Sequence, residues 1–369
     1  MKIPNAKILT GLAMLMATGI TAQVQYTFTT LDPPASPSGN GRWISAISGT
    51  NIVGYYLDTN ENVVGAWYNG STWTTLVDPM GDPSSPSGTE PTGISGTNIV
   101  GDYQDSGGVL HGFIYNLVTS NWTTLDDPSA GSGSGQGTLP FGISDTNIVG
   151  GYYASDGRTH GFLYNLITGN WTNLDDPLDS GGGTFLGGID GTNIVGSFWN
   201  VSGINHGCLY NGKTWTTLND PLGVDGTFVW RISGTNMVGL YRPFGDTNNG
   251  FLYNGRTWTT MDDPLGVKGT VAQGISGANI VGGYYDSGGE SHGFLATPIP
   301  QLTITQATNG PTISWPYWNN PSTGWTLQQN SDLSTTNWTP SGGTVSNDGT
   351  NNFITITPSG GNLFFRLSQ

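Results

Sequence analysis

The sequence predicts an all-β protein, a six-bladed β-propeller with four-stranded blades followed by a small C-terminal β-sandwich. A phrase close to Ile-Ser-Gly-Thr-Asn-Ile-Val-Gly recurs six times, centred on Asn51, Asn98, Asn147, Asn193, Asn236 and Asn279. Its spacing of about 43 to 49 residues is typical of propellers and solenoids. The 59 Gly and 13 Trp residues supply the mixture of turn formers and strand formers that an all-β chain needs.

The net charge of the chain limits the classes of partner that it can bind. It carries 25 acidic and 10 basic residues, a net charge of −15. Because no run of Lys or Arg forms a basic face, nucleic acids and anionic lipid surfaces are poor partners. The single cysteine excludes an intramolecular disulfide.

Residues 1–22 have the pattern of a secretory signal peptide. Lys2 and Lys7 give a positively charged N-terminal region, and an uncharged apolar stretch follows from Ile8 to Ile20. This stretch is short for a membrane span, and no other long apolar run follows it. We therefore expect a secreted protein, extracellular or periplasmic, without a membrane span.

Four short strands are predicted in each repeat unit. They are represented by Gly269–Ser276, Asn147–Tyr152, His160–Asn165 and Trp122–Pro128, in the order first to fourth. Each alternates apolar and polar residues between turn-forming residues. The Pro after Asp-Asp cannot continue a strand ladder, so it ends the fourth strand. Four antiparallel strands in one unit indicate one propeller blade.

The two ends of the repeat array predict how the propeller closes. The last unit stops at Ala296 without a fourth strand, and the missing strand stands before the first unit, at Phe28–Pro33. Pairing these ends would close the ring and remove two free sheet edges. We therefore expect a closed six-bladed propeller over residues 23–298.

The repeat resembles the HAF-type extracellular repeat of bacteria, whose consensus has a Gly-Ile-Asn-x-x-Gly-x-Val-Gly core and a His-x-Phe end. The residues that carry this resemblance best are Ile143–Gly150 with His160–Tyr164, and Ile275–Gly282 with His292–Leu295. It covers about residues 27–296. The resemblance implies a bacterial extracellular protein with a propeller-like fold, and it implies no single activity.

The sequence pattern over residues 299–369 predicts a separate Ig- or fibronectin-like sandwich. Short alternating strands are expected at Leu302–Thr305, Thr312–Trp315, Trp325–Gln328, Phe353–Thr357 and Leu363–Leu367. The segment is similar to small C-terminal modules of secreted bacterial proteins that end in a Phe-aromatic-Arg-Leu strand. Attachment, export and a spacer role all fit such a module.

Residues that recur at one blade position are interpreted mainly as scaffold. The four histidines, His111, His160, His206 and His292, are too far apart around a ring to share one ligand, so a repeated structural hydrogen bond is expected. The repeated Trp residues are expected to pack between blades. Cys208 replaces a repeated Phe and is expected to be a buried apolar residue.

The Asp-Asp-Pro turns allow two interpretations. Calcium at blade junctions would use carboxylate and carbonyl oxygens, but the ligand spacing of a calcium loop is missing. An Asx turn before Pro is the simpler interpretation. We therefore expect no cofactor and keep a calcium-stabilised scaffold as an alternative.

A binding site is expected where the units differ, on the first strands that would line the channel. The residue two before the repeated Ile is Ser45, Thr92, Phe141, Gly187, Trp230 or Gln273. We predict that Trp43, Glu90, Trp230 and Arg231 form a ligand site, because aromatic faces and a guanidinium suit a sugar or a carboxylate. The alternative is that large side chains merely fill the channel.

These observations predict a non-catalytic binding or structural protein, with an extracellular glycan or cell-surface component as its partner. A secreted polysaccharide-active enzyme, a glycosidase or lyase, is the alternative, and it requires two carboxylates near the channel. The chain has only three Glu residues, Glu61, Glu90 and Glu290, and only Glu90 lies on a predicted channel strand. No catalytic residue is assigned.

Overall fold

The computed structural model describes residues 24–34, 41–82, 88–245, 247–307, 310–316, 325–348, 351–356 and 363–368. The predicted signal peptide lies outside these residues. Within the described ranges all regular structure is β-strand. No helix of this part of the chain is long and apolar enough to cross a membrane.

The repeat array forms six antiparallel sheets of four strands, which we number 1 to 6 in chain order. Sheets 1 to 3 consist of β2 (Arg42–Ser48), β3 (Asn51–Leu57), β4 (Val63–Tyr68), β5 (Trp73–Leu76); β6 (Thr89–Ser95), β7 (Asn98–Gln104), β8 (Leu110–Asn116), β9 (Asn121–Leu125); and β10 (Gly137–Ser144), β11 (Asn147–Tyr153), β12 (Thr159–Asn165), β13 (Asn170–Asn173). A single parallel residue pair, Gly137 with Leu110, links sheets 2 and 3.

Sheets 4 to 6 continue the same order. They consist of β14 (Thr184–Asp190), β15 (Asn193–Trp199), β16 (Asn205–Tyr210), β17 (Trp215–Leu218); β18 (Gly226–Ser233), β19 (Asn236–Arg242), β20 (Asn249–Tyr253), β21 (Trp258–Thr260); and β22 (Thr270–Ser276), β23 (Asn279–Tyr285), β24 (Ser291–Ile299), with β1 (Gln25–Thr30) as the fourth strand. The predicted four strands per unit are confirmed.

A tight turn joins the first and second strands of each sheet and sets their register. Its second residue is left-handed, with φ of 56° at Gly96 and 60° at Gly277. Sheet 3 has Asp145 at this position, with φ of 51°. Asp is one of the few residues besides Gly that adopt this conformation readily, which explains why the turn tolerates the exchange.

The first strands of the six sheets contact one another in the cyclic order β2, β6, β10, β14, β18, β22 and back to β2. The arrangement is therefore propeller-like, with the first strands innermost as predicted. The strands approach closely because small residues face each other. A Cβ on Gly142, Gly188 or Gly274 would come within 2.9 Å of the backbone of the next inner strand.

Apolar clusters lie between successive sheets, including between the last and the first. At that last interface Ile44, Ile47 and Ile52 of sheet 1 pack with Val281 of sheet 6. Ile44 and Val281 are fully buried. The hydrophobic core is thus divided into six similar parts, one for each sheet interface.

The predicted pairing of the array's two ends is confirmed. β1 runs antiparallel to β24, with Gln25 opposite Ile299 and Thr30 opposite Phe294. The ring of Phe28 lies 5.3 Å from that of Phe294. The N-terminal strand therefore takes the place that the fourth strand occupies in every other sheet.

The repeated histidines make the structural contact that was expected. In each case Nδ1 meets the first residue of the Asp-Asp-Pro turn or its equivalent, at 2.8 to 2.9 Å. The partners are Asp126 for His111, Asp175 for His160, Asn219 for His206 and Asp32 for His292. Each contact fastens the end of the fourth strand to the third strand.

The second Asp of each turn forms an Asx turn. Asp127 Oδ1 accepts a hydrogen bond from the N–H of Ser129 at 2.8 Å, and Asp176 Oδ1 accepts one from Leu178 at 2.9 Å. Both side chains are buried. These oxygens serve the backbone, as the simpler interpretation of the turn expected.

The repeated Trp residues and Cys208 lie in packed positions. Trp122 packs edge-on against Phe113, and Trp171 packs in the same way against Phe162, both with ring centroids 5.0 Å apart. Cys208 is fully buried. Trp122 also packs against the apolar cluster between sheets 1 and 2, and Trp171 against the one between sheets 2 and 3, so the expected packing between blades is observed for these two residues.

The C-terminal segment forms two small antiparallel sheets. One contains β25 (Thr303–Ala307), β26 (Gly310–Pro316), β30 (Asn351–Thr355) and β29 (Ser346–Asn347), and the other contains β28 (Thr339–Pro340), β27 (Thr326–Asn330) and β31 (Phe364–Ser368). Ile313, Trp315, Leu327 and Ile354 form a shared buried cluster. β28 and β29 have two residues each and were not predicted.

Candidate functional site

A cavity of about 140 Å³ lies among the innermost strands, and we call it the channel cavity. Five of the six residues that stand two before the repeated Ile line it, as the alignment of the first strands predicted. The lining residues of this class are Ser45, Thr92, Phe141, Trp230 and Gln273. The remaining lining residues are Tyr55, Glu90 and Arg231.

Arg231 forms one side of the channel cavity and reaches across the ring. Its guanidinium donates to the carbonyl oxygens of Gly187 at 2.6 Å and Trp230 at 2.9 Å through Nη1. Through Nη2 it donates to those of Thr92 at 2.5 Å and Phe141 at 3.1 Å. Four sheets, 2 to 5, are thereby linked by one side chain. Burial lowers the Arg231 pKa to about 10.

Arg231 also separates the channel cavity from a second, smaller one of about 60 Å³. It is the one residue that lines both cavities. The smaller cavity is otherwise lined by Ala, Gly and Ile residues such as Ala46, Gly93 and Ile275. The guanidinium therefore stands between the two cavities.

Glu90 stands beside a second carboxyl group, that of Asp102. The two residues are opposite each other in the register of β6 and β7. Side chains that are directly opposite in an antiparallel pair lie on the same face with Cβ atoms about 5 Å apart. We call Glu90 and Asp102 the carboxyl pair.

The carboxyl pair is specific to sheet 2. The corresponding opposite residues in the other five sheets are uncharged: Trp43 and Tyr55, Leu139 and Gly151, Phe185 and Ser197, Phe228 and Leu240, and Val271 and Gly283. Asp102 is buried and Glu90 is half-buried. Among the described residues, no cation lies within ion-pair distance of either carboxyl group.

Burial disfavours the charged form of both acids. It raises the pKa of Glu90 from 4.5 to about 7. The pKa of Asp102 is raised well above its usual value by burial and, to a smaller extent, by Glu90. The Tyr55 phenol is also buried, and burial is the main cause of its raised pKa, followed by Glu90. The pair therefore holds at least one proton near neutral pH.

Two polar atoms of the cavity-lining side chains are buried without a partner. They are the indole Nε1 of Trp230, a donor, and the amide Oε1 of Gln273, an acceptor. A buried polar atom without a hydrogen bond costs about 1 to 3 kcal/mol. One donor and one acceptor at the same cavity are a reason to look for a ligand with hydroxyl groups, because a hydroxyl both accepts and donates.

The structure brings together three of the four predicted site residues. Glu90, Trp230 and Arg231 line one cavity. Trp43 does not line it, and its ring packs edge-on against Tyr285, with centroids 5.3 Å apart. The guanidinium of Arg231 is already bonded to backbone carbonyls, so it is not the free fork that ligand binding was expected to use.

Asp102 and Tyr55 were missed by the sequence analysis. Both lie on second strands, whereas the prediction of a binding site compares only the first strands. The signal was present, because the sequence has Gly-Asp-Tyr at Asp102 where sheets 3 and 6 have Gly-Gly-Tyr at Gly151 and Gly283. Comparing the second strands in the way that the first strands were compared would have found both residues.

Aromatic rings continue from the cavity across sheets 3 to 5. Successive ring centroids lie 5.8 to 6.5 Å apart in the order Phe141, Phe185, Trp199, Phe228, Trp230. All five side chains are half-buried. Arg242 lies over the Phe228 ring at 4.9 Å. The cavity therefore adjoins a surface that is rich in aromatic edges and faces.

Outside the cavity, Asp286, Glu290 and His292 are the one group of metal-ligand side chains that meet among the described residues. Asp286 Oδ1 accepts hydrogen bonds from the N–H groups of Gly289 and Glu290, and His292 Nδ1 contacts Asp32. The group follows the loop and histidine pattern of the repeat, so we assign it no ligand.

No protein-family model matches the chain, and no curated protein matches it either. Solved structures match at low identity. A six-bladed β-propeller lectin of Aleuria aurantia, described with its fucose recognition mode, is 16% identical, with a TM-score of 0.41, over 73% of this chain and 92% of the lectin. TolB of Acinetobacter baumannii is 14% identical, with a TM-score of 0.44, over 68% of this chain and 64% of TolB.

A third similar structure is AofleA of Arthrobotrys oligospora, 11% identical with a TM-score of 0.44, over 94% of this chain and 92% of AofleA. At these identities and scores no residue of the channel cavity is assigned by correspondence.

The raised pKa values predict how stability depends on pH. The folded protein holds a proton on Glu90 up to a pKa of about 7, whereas the unfolded chain loses it near 4.5. The stability is therefore fully present below about pH 4.5 and falls as the pH rises through 7. We expect the free energy of unfolding of Glu90→Gln to equal that of the wild type at pH 4.5 and to exceed it by on the order of 2 kcal/mol at pH 8. Urea unfolding at both pH values measures this difference. An equal change in the free energy of unfolding between pH 4.5 and pH 8 for the two proteins would contradict it.

Proposed function

We propose that this protein is a secreted, non-catalytic glycan-binding protein and that the channel cavity is its binding site. The observation that carries the proposal is the pair of unpartnered polar atoms, Trp230 Nε1 and Gln273 Oε1, at one cavity beside aromatic rings. Sugar hydroxyls would satisfy both atoms, and sugar C–H faces would pack against the rings.

The size of the cavity supports a small sugar unit. Its 140 Å³ is well below the roughly 300 to 1,000 Å³ of pockets that enclose drug-sized ligands. One terminal residue would therefore occupy the cavity, and further residues would lie outside it. The ring series from Phe185 to Phe228 gives those residues an adjoining aromatic surface.

The same proposal includes the architecture that presents the site. Residues 23–298 would form a closed six-bladed propeller of the HAF-repeat type, and residues 299–369 an Ig-like sandwich for attachment or spacing. The cyclic contacts of the inner strands and the β1–β24 pairing support the closed ring. The shared cluster around Trp315 supports the sandwich. A signal peptide over residues 1–22 would deliver the protein to the cell exterior or periplasm.

Catalysis is the second candidate, because the carboxyl pair meets part of the requirement for a glycosidase. Such enzymes place two carboxyl groups on either side of the scissile bond. Here only Glu90 lines the cavity, while Asp102 is buried beside it. We expect no release of reducing ends from a bound polysaccharide. Release that is abolished by Glu90→Gln would establish the enzyme instead.

Removal of the Trp230 indole is expected to abolish glycan binding. On a polysaccharide array, Trp230→Ala should lose at least tenfold in affinity for every glycan that the wild type binds, because it removes both an aromatic wall and the unpartnered donor. Trp338→Ala is the matched control, since Trp338 stacks on Arg366 in the C-terminal segment. Equal binding by Trp230→Ala and the wild type would refute the site.

A further inference from the structure

The carboxyl pair is an unusual feature for a buried position. Asp102 is 5% exposed, and no hydrogen bond or ion pair within the described residues reaches the carboxyl group of Asp102 or of Glu90. Buried carboxylates are normally paired with a cation or bonded to several donors, because desolvating an unpaired charge is costly. Within the described residues, the carboxyl pair therefore has neither the cation nor the hydrogen-bond donors that buried carboxylates normally have.

The nearby guanidinium does not supply that partner. Arg231 lines the same cavity, but its Nη1 and Nη2 donate to four carbonyl oxygens. Among described residues, the one guanidinium–carboxylate ion pair joins Arg42 to Asp32. A cation that balances the ionised form of the carboxyl pair would therefore come from outside the described residues.

We infer that the carboxyl pair receives a primary ammonium group, so that the sugar bound in the channel cavity is an amino sugar with a free amine. The inference rests on the proposed glycan-binding function and adds the chemical class of the ligand. Glu90 lines the cavity and would contact the ammonium directly. Asp102, opposite it on β7, would add the second negative charge.

The walls of the cavity favour an organic cation over a metal ion. Tyr55, Phe141 and Trp230 contribute aromatic faces, which attract ammonium groups through their quadrupoles. A calcium ion would need six to eight oxygen ligands. The Thr92 hydroxyl donates its single hydrogen to the carbonyl oxygen of Pro140 at 2.6 Å, and the carbonyl oxygen of Val100 lies 3.2 Å away.

Binding an ammonium would change the protonation of the pair. The titratable groups that face the pair are Tyr55, Tyr153 and, through Tyr55, Tyr285, and all three phenols have raised pKa values because they are buried. These phenols stay neutral near pH 7, whereas Arg231, which lines the same cavity, stays charged. An arriving ammonium would therefore displace a proton from the pair to solvent.

Titration calorimetry with three monosaccharides tests the inference. We expect D-glucosamine to bind the wild-type chain at least tenfold more tightly than D-glucose or N-acetyl-D-glucosamine at pH 6.5 and low salt. Glucosamine binding should release protons, seen as a heat that changes between two buffers with different ionisation enthalpies. Glucose should release none.

Conservative variants test whether the preference for glucosamine depends on the carboxyl pair. Glu90→Gln and Asp102→Asn should each lose at least tenfold in glucosamine affinity. Glu290→Gln, which changes an exposed glutamate on the β23–β24 loop, should match the wild type. A melting curve for each variant shows that it is folded.

The outcomes separate this inference from the proposed function. Equal affinity for the three sugars, or unchanged glucosamine affinity in both carboxyl variants, would overturn the ammonium assignment while Trp230-dependent glycan binding still stood. Failure of all three sugars to bind would overturn it as well. Loss of the Trp230 effect on the polysaccharide array would instead overturn the binding site.

Discussion

Replacing Arg231 with Met is expected to lower the free energy of unfolding by about 3 to 5 kcal/mol, because it removes the donor of four hydrogen bonds and each polar group left unpaired costs about 1 to 3 kcal/mol. The substitution keeps much of the aliphatic stem but leaves the carbonyl oxygens of Thr92, Phe141 and Gly187 without their donor. Those carbonyls belong to three different sheets, so the contact between sheets 2 to 5 is weakened at one point.

Urea unfolding followed by Trp fluorescence measures this effect. Arg231→Lys should give an intermediate loss, because an ammonium is a point charge and does not reproduce the planar fork of a guanidinium. Arg242→Met is the matched control. Its guanidinium lies over Phe228 on an exposed part of sheet 5, where a cation–π contact is worth about 0.5 to 1 kcal/mol. If both Met variants changed stability equally, the spanning role of Arg231 would be wrong.

Deleting residues 1–34 is expected to have the second large effect, a fall of at least 10 °C in melting temperature together with self-association. The deletion removes β1 and leaves β24 as an exposed sheet edge, which is a template for pairing with another chain. It also removes the half-buried side chains of Phe28 and Leu31 from their contacts with sheets 6 and 1, where full burial of a side chain of this size would contribute about 1.5 to 3 kcal/mol.

A shorter deletion and an added peptide distinguish the effect of β1 from that of the rest of the N-terminus. Deleting only residues 1–22 should leave the melting temperature unchanged, since it removes the predicted signal peptide and keeps β1. A synthetic peptide of residues 23–34, added to the larger deletion, should restore a monomer by pairing with β24. A monomeric deletion of 1–34 with wild-type stability would show that the β1–β24 pairing contributes little.

The strands of the repeat could be predicted from the sequence because their signals are local. The example at Gly269–Ser276 differs from the observed β22 by one residue, and Asn147–Tyr152 differs from β11 by one. Turn residues and alternation determine where such strands begin and end. The two-residue strands β28 and β29 lack this signal, because two residues show no alternation.

The candidate site could be predicted only in part, for two different reasons. Repeat alignment identified the inner position of Thr92 and Trp230, because a departure from a repeat is visible in one sequence. It did not show that Arg231 bonds to carbonyls in sheets 2 to 4, which depends on the distance across the ring. The pairing of Glu90 with Asp102 follows from the hairpin register, and it was missed because second strands were not compared.

The position of β1 also governs when the molecule can be completed. β1 is the first strand of the array to be synthesised, and its partner β24 is the last. The contact between Asp32 and His292 therefore joins residues 260 positions apart in the chain. Contacts between such distant residues carry the largest loop-closure cost and form slowly. The five sheets that pair within themselves can form in order as the chain grows, whereas the sixth sheet joins the earliest and latest parts of the array. A chain interrupted before β24 therefore keeps an unpaired N-terminal strand, and the completed sixth sheet marks a repeat array that has been made to its end.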